Sequence, residues 1–392
     1  MSLARQQAAL ARAVRSCANA LLHGAAGCAW PRQRPLDAKR VCIYRIGNIG
    51  DTACAIPAMH AIRRAYPDAH LTLVTSPGKA GSIGARELLE GVSWLDEIVV
   101  YHAEDIATAR GRLGLLHNLR ARKFDLWIEL PAVAASLTRL FRNLVVAREA
   151  GVRWGFGWRY EPRFAARSQT LFNEFPDEVE RLLEIVRAAG FAGDDHEFPL
   201  ELGESNQRIV TALLTQAGMA DAEPMIAFAP GAKLEPNRWP VDRFIEVGKR
   251  LAARGYAIVV LGGSSDAPAC DGIAKSIGRN AASLAGKTSV RDSCELLARC
   301  AMLICNDSGV QHLAGAVGTP CVSLFTRREF PGMWWPHGSQ HEVLLKEVEC
   351  HTCFLDACPY DNKCIKAIAV DEVVAAAARV LARQPDSKPQ VA

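Results

Sequence analysis

Four short stretches of the chain carry side chains whose types and spacing could do chemistry. The first, RIGNIGD (45–51), sets Gly47 and Gly50 just ahead of Asp51. Glycines let a backbone turn tightly and approach a ligand. Asp51 falls at a predicted helix start, where a carboxylate either caps free N–H groups or points outward as a base. The run lacks the third glycine of a dinucleotide fingerprint and the Gly-Lys-Ser/Thr end of a P-loop. The second stretch, APGAKLEPNRWP (229–240), offers Lys233 and Arg238 ahead of Pro240, which opens a helix. Cations beside a helix N-terminus suit a phosphate, although a plain solvent-exposed loop has the same composition. The third, NDSGVQHLAGAVGTP (306–320), puts Asp307, Ser308 and Gly309 after a strand, with His312 one helical turn later. Backbone N–H groups and a hydroxyl at that point suit a diphosphate, and His312 shares a helix face with Ser308. The fourth is Cys350, Cys353, Cys358 and Cys364, with gaps of two, four and five residues. Four thiols so close could hold zinc or an iron–sulfur cluster, or form a reduced turn or a labile disulfide.

The elements that must position these residues alternate twice. Short apolar runs at 41–47, 71–76, 97–101 and 124–130 predict strands, with helices at 52–66, 106–121 and 134–148 between them. Such a pattern predicts parallel strands covered on both faces. An aromatic, basic stretch (152–164) and a helix near 177–189 lead to a turn-rich linker at 192–205. The second half repeats the theme: strands at 225–231, 257–263, around Ser283, 302–307 and 321–325. Helices fall at 205–217, 240–254, 267–277, 290–299 and 309–317, and a last one at 371–383. Two consecutive doubly wound α/β sheets fit this better than one barrel.

The 392 residues, 49% hydrophobic and 22% charged, exclude a disordered or collagen-like chain. No apolar run is long enough for a transmembrane helix. Residues 1–170 hold 24 Lys and Arg against 13 Asp and Glu, whereas the remainder is acidic. A basic half joined to an acidic half predicts two domains with different ligands, the first facing something anionic. The thirteen cysteines include Cys42, Cys54, Cys300, Cys305 and Cys321 in apolar runs, which read as small core residues of a cytoplasmic chain. Residues 1–40 read as a poor signal peptide or, better, as a short helix whose basic face touches anionic lipid.

The order of RIGNIGDTACAIPAMHAIRRAYP, PGAKLEPNRWP, NDSGVQHLAGAVGTP and CHTCFLDACPYDNKCIKAIAVDEV resembles glycosyltransferase family 9, the ADP-heptose:lipopolysaccharide heptosyltransferases, over about 41–383. The resemblance implies a GT-B architecture, two Rossmann-like domains facing across a cleft. It divides the chain into an extension (1–40), an acceptor domain (41–195), a nucleotide-sugar domain (196–370) and a C-terminal helix (371–392) that packs back on the first domain. It implies an inverting, metal-independent and cofactor-free transfer from ADP-heptose to an anionic glycolipid of the lipopolysaccharide inner core. The partners are then a nucleotide sugar and that glycolipid at the cytoplasmic face of the inner membrane, with no nucleic acid. Asp51 matches the family's general base, and Asp307, Ser308, Gly309 and His312 match its donor site. Asn237 stands where the family often has lysine, which leaves phosphate neutralisation to Arg238 and Lys233. Ser264 stands where relatives tend to carry a carboxylate, which leaves another nucleotide sugar open as donor. Arg139, Arg142, Arg153, Arg159 and Arg163 are the expected acceptor contacts. A GT-B epimerase or hydrolase of nucleotide sugars, and a non-catalytic sugar- or metal-binding scaffold, are the competing readings.

Overall fold

The computed structural model describes residues 3–30 (3–12 by backbone alone), 34–133, 135–160, 175–194, 196–220, 222, 224–350 and 352–383. Arg163 lies outside the described residues. The chain divides into two compact units, Met1–Glu201 and Leu202–Ala392.

The first unit is built on five parallel strands: β1 Arg40–Ile46, β2 His70–Ser76, β3 Glu97–Val100, β4 Leu126–Glu129 and β5 Trp154–Phe156. Their order is β3-β2-β1-β4-β5. In register, Val41 pairs with both Leu71 and Leu126, and Tyr44 with both Val74 and Glu129. β1 is buried from Val41 through Arg45, as a strand covered on both faces must be. The strand order reverses between β1 and β4, so the crevice at their carboxyl ends is a topological switch point. Caps fix where the flanking helices begin. Ser136 Oγ accepts the Arg139 N–H, and Asp177 Oδ1 accepts the Glu180 N–H. Gly157, at φ 98°, must be glycine, because a Cβ there would lie 2.0 Å from the Glu129 carbonyl oxygen.

The C-terminal part of the helix Leu3–Ala29 and Trp30 after it pack into this unit. The helix Leu3–Ala29 buries Leu22 completely. At its end Trp30 stacks on Trp158, with centroids 5.1 Å apart, and donates its indole N–H to the Val152 carbonyl at 2.8 Å. Asn19 clamps the backbone of Tyr160, donating to its carbonyl at 3.0 Å and accepting its N–H at 2.7 Å.

The second unit has six parallel strands: β6 Met225–Ala229, β7 Ala257–Val260, β8 Ala281–Ser283, β9 Met302–Asn306, β10 Cys321–Phe325 and β11 Glu342–Leu345. The order is β11-β10-β9-β6-β7-β8, with its switch point between β6 and β9. The edge strand β11, four half-buried residues without a strong apolar pattern, is absent from the sequence reading. The C-terminal helix Val370–Ala382 helps build the second unit's core. Val373, Ala376, Ala377 and Val380 are buried in the second unit's own core with Phe244, Ile304 and Val322. Arg379 also pairs with Glu342 of β11 at 2.9 Å. An alanine- and valine-rich helix face gains most by covering the nearest apolar sheet, and that sheet is its own. Among the described residues, no helix is long and apolar enough to cross a membrane.

Candidate functional sites

In the first unit the helix Ile49–Ala65 begins three residues earlier than the sequence suggests. Asp51 therefore sits within its first turn rather than at the cap. Its carboxylate Oδ2 accepts the backbone N–H of Asn48 at 3.0 Å. Its Oδ1 lies 3.4 Å from Arg45 Nη2, and the side chain keeps 23% of its surface exposed. So the residue closes the helix start and still reaches solvent at the carboxyl end of β1. Gly47 is required for close packing, not for a turn. A Cβ there would stand 2.2 Å from Asp51 Cβ and 2.9 Å from Oδ2. Gly50 is buried in the same helical turn.

The expected acceptor arginines divide. Arg139 and Arg142 stand exposed on the helix Leu137–Glu149, which follows β4, and so share the carboxyl end with Asp51. Arg142 donates to Asn143 Oδ1 at 3.2 Å, and Asn143 donates to the buried Glu129 at 2.7 Å. Burial is the main reason the Glu129 carboxyl is pushed up to about 7, against the opposing bonds from Asn143 and Trp127. Arg159 follows β5 at the same end and pairs with Glu184 at 3.1 Å. There it lines a cavity of about 730 Å³ with Arg15, His23 and Trp158. Arg153 is not brought to this site. It precedes β5, and its N–H bonds the carbonyl of Asp125, ahead of β4, which puts it at the amino end of the strands.

In the second unit the loops after β6 and β9 are stitched together at the switch point. Asn306 donates to the Pro230 carbonyl at 2.6 Å and accepts the Trp239 N–H at 3.1 Å. Asn237 donates to Asp307 Oδ2 at 3.1 Å and accepts the Thr326 hydroxyl at 3.1 Å. Where the family pattern expects a cation there is thus a buried amide bridging two motifs. Burial first, then the charge of Glu329, pushes the Asp307 carboxyl up to about 7, with Arg328 and Gln311 opposing. Ser308 opens the helix Gly309–Ala316, and its hydroxyl is buried with no hydrogen-bond partner among the described residues. A buried orphan hydroxyl on a helix N-terminus suits a ligand's anionic oxygen. His312 is buried one turn on, edge-on to Trp334.

Arg238 donates to the Ala232 carbonyl at 3.0 Å and to Asp266 Oδ1 at 3.1 Å. Asp266 went unnoticed in the sequence because it lies two residues beyond Ser264. The loop after β7 therefore does carry a carboxylate, displaced along a 3₁₀ turn (Ser264–Asp266). Ser264 and Lys233 are exposed. Cys350, Cys353, Cys358 and Cys364 are half-buried free thiols. Their loop hangs on the segment after β10: Phe354 N–H donates to the Arg328 carbonyl at 3.1 Å, and Arg328 Nε to the Leu355 carbonyl at 2.6 Å. Among the described residues, no group of three or more His, Cys, Asp or Glu side chains is arranged to hold a metal ion.

The sequence profile described as Glycosyltransferase family 9 (heptosyltransferase) matches residues 112–364. Lipopolysaccharide heptosyltransferase 2 of Escherichia coli (strain K12) is 26% identical over 295 residues, spanning 71% of this chain and 80% of the relative. Among solved structures, a glycosyl transferase family 9 protein from Veillonella parvula superposes with a TM-score of 0.71 at 19% identity, covering 90% of this chain and all of the other. The E. coli ADP-heptose lps heptosyltransferase II gives 0.63 at 22% identity, covering 88% and 99%. These likenesses share the GT-B fold of two Rossmann-like sheets.

Proposed function

This chain belongs to glycosyltransferase family 9, and from that premise we propose that it transfers a heptose from ADP-heptose to an anionic glycolipid of the lipopolysaccharide inner core, with inversion. The observation that carries the reading is that both chemical motifs coincide with switch points of their own sheets: Asp51 beside β1 and β4, Ser308 beside β6 and β9. Asp51 takes the proton of the acceptor hydroxyl as its oxygen bonds to the anomeric carbon. The sugar–phosphate bond breaks and ADP leaves. Its growing charge is met by the Ser308 hydroxyl, the N–H groups of Gly309 and its neighbours, and Arg238. His312 borders the same donor site. Asp266, held against Arg238, supplies the carboxylate expected for the nucleotide or sugar, which removes one reason to favour a different donor. Arg139, Arg142 and Arg159 receive the acceptor's phosphates and carboxylates. The helix Leu3–Ala29 contains arginines and no acidic residue, which supports action at the cytoplasmic membrane face.

The test is a donor screen, ADP-heptose against other nucleotide sugars, with and without a lipid A–core acceptor. The reading expects turnover of ADP-heptose that depends on acceptor; acceptor-independent turnover would make the protein an epimerase or hydrolase. Asp51→Asn should lose about 10²–10⁴-fold in transfer while binding donor normally by calorimetry, and His312→Ala should weaken donor binding.

A further inference from the structure

Behind Asp51 lies a buried group of charges that no motif contains whole. Arg45, at the end of β1, is 1% exposed. Its Nη1 donates to the Pro131 carbonyl at 3.1 Å. Its Nη2 reaches Asp51 Oδ1 at 3.4 Å, the Asp51 carbonyl at 3.2 Å and Glu178 Oε1 at 2.9 Å. Glu178 is itself buried, in the first turn of the helix Glu178–Ala188. Arg181, one turn on, grips both its oxygens, Nε to Oε2 at 2.6 Å and Nη2 to Oε1 at 2.7 Å, and bonds the Pro131 carbonyl at 2.6 Å. The four side chains carry two charges of each sign, and of the four Asp51 is the one that reaches solvent.

Burying an arginine on a strand is strongly unfavourable unless its charge and donors are met. Meeting that cost with Asp51 alone would work against catalysis, since a carboxylate beside a lone guanidinium is held ionised and becomes a weak base. Here the same nitrogen of Arg45 lies closer to Glu178 than to Asp51. We propose that Glu178 is a positioning residue: it fixes Arg45 so that the guanidinium aims Asp51, and it offsets enough of the arginine's charge for Asp51 to remain a strong enough base. The inference rests on Asp51 being the base proposed above. Among the described residues, the other ionisable groups around this cluster include Asp177, at the cap of Glu178's helix, Cys54, one turn beyond Asp51, and the buried Glu129 of β4, on which the Arg45 charge also acts. Burial, then Glu178 and Asp51, raise the Cys54 thiol, so it stays neutral.

The experiment follows kcat/KM for the acceptor against pH in three variants. Glu178→Gln leaves Arg45 facing Asp51 without its counter-charge. It should move the acid limb down by about one pH unit and lower the plateau, with donor KM unchanged. Arg45→Gln should move the limb upward, and Glu178→Asp should leave it in place. A purely structural role would reduce the active fraction without moving the limb. The proposal is overturned if the Glu178→Gln limb matches the wild type, or if both neutral variants shift it the same way. Should Glu178→Gln give no cooperative melt, Arg45→Lys decides. A lysine keeps the charge but cannot span both carboxylates and a carbonyl, so kcat should fall with donor KM unchanged; an unaltered kcat refutes the idea. Asp51→Asn separates the two levels. Retained transfer in that variant removes the base itself, whereas lost transfer with an unmoved limb removes only the role of Glu178.

Discussion

Replacing Gly47 by alanine probes how closely the site is packed. The new Cβ would lie 2.2 Å from Asp51 Cβ and 2.5 Å from its Cγ. Carbon atoms prefer about 3.5–4.0 Å, so the two must separate by more than an ångström. Asp51 Cβ is fixed to the backbone of its helix, so no rotamer change relieves the contact. Either the loop after β1 or the helix start has to shift, and the carboxylate shifts with it. Overpacking of this kind costs about 1–3 kcal/mol of stability, and a misplacement of about 1 Å costs roughly 10²-fold in rate. Steady-state transfer at saturating donor and acceptor should show that loss in kcat. Donor KM should hold, because the residues proposed to bind the donor belong to the other unit. Gly114→Ala, on an exposed helix face of the same unit, is the control: among the described residues nothing lies within 4 Å of the added carbon, and kcat should not change. The decisive comparison is a cycle with Asp51→Asn. If Gly47→Ala acts through the carboxylate, it adds nothing in that background. A kcat within twofold of wild type, or a full additional loss on top of Asp51→Asn, would refute the reasoning.

Three further outcomes follow from burial. Glu129 is raised from 4.5 to about 7 and Asp307 from 3.8 to about 7. Between those limits the folded protein holds protons that the unfolded chain has released, so both residues make stability fall as pH rises through the window. Glu129→Gln should therefore gain melting temperature relative to wild type from pH 5 to pH 8; a constant difference across that range would contradict it. Cys294, Cys300 and Cys305 are pushed up to about 12 by burial, whereas Cys17 and Cys28 are exposed. Iodoacetamide on the native protein should label Cys17 and Cys28 well before these three, and early label on Cys305 by mass spectrometry would be the contrary result. Asn237→Ala deprives Asp307 and Thr326 of a partner and should cost about 1–3 kcal/mol with weaker donor binding; an unchanged melting curve would argue against the bridge.

The strands and their parallel arrangement were legible because runs such as VCIYRIG and MLICND are apolar on both faces. The places of Asp51 after β1 and of the Asp-Ser-Gly turn after β9 were legible because each follows an apolar run and opens a helix. What stayed hidden depends on pairings across distance. Arg45 read as an ordinary strand residue, and its link to Glu178 spans 133 positions. Asp266 was missed by two residues because a 3₁₀ turn shifts the loop's phase. Arg153 was grouped with its neighbours by charge alone, although strand direction carries it to the opposite edge from Arg159.

Where the C-terminal helix packs bears on how the polypeptide emerges from the ribosome. The chain leaves the first unit once, near Glu201, so everything that unit needs has been synthesised before residue 202. It can finish folding while the rest is still being translated. The second unit has no such head start. Phe244, Ile304 and Val322 wait for Val373 and Val380 to cover them, so its core stays open to water until the helix Val370–Ala382 has been translated. A stop codon ahead of residue 370 should spare the first half and leave the second a target for chaperones and proteases.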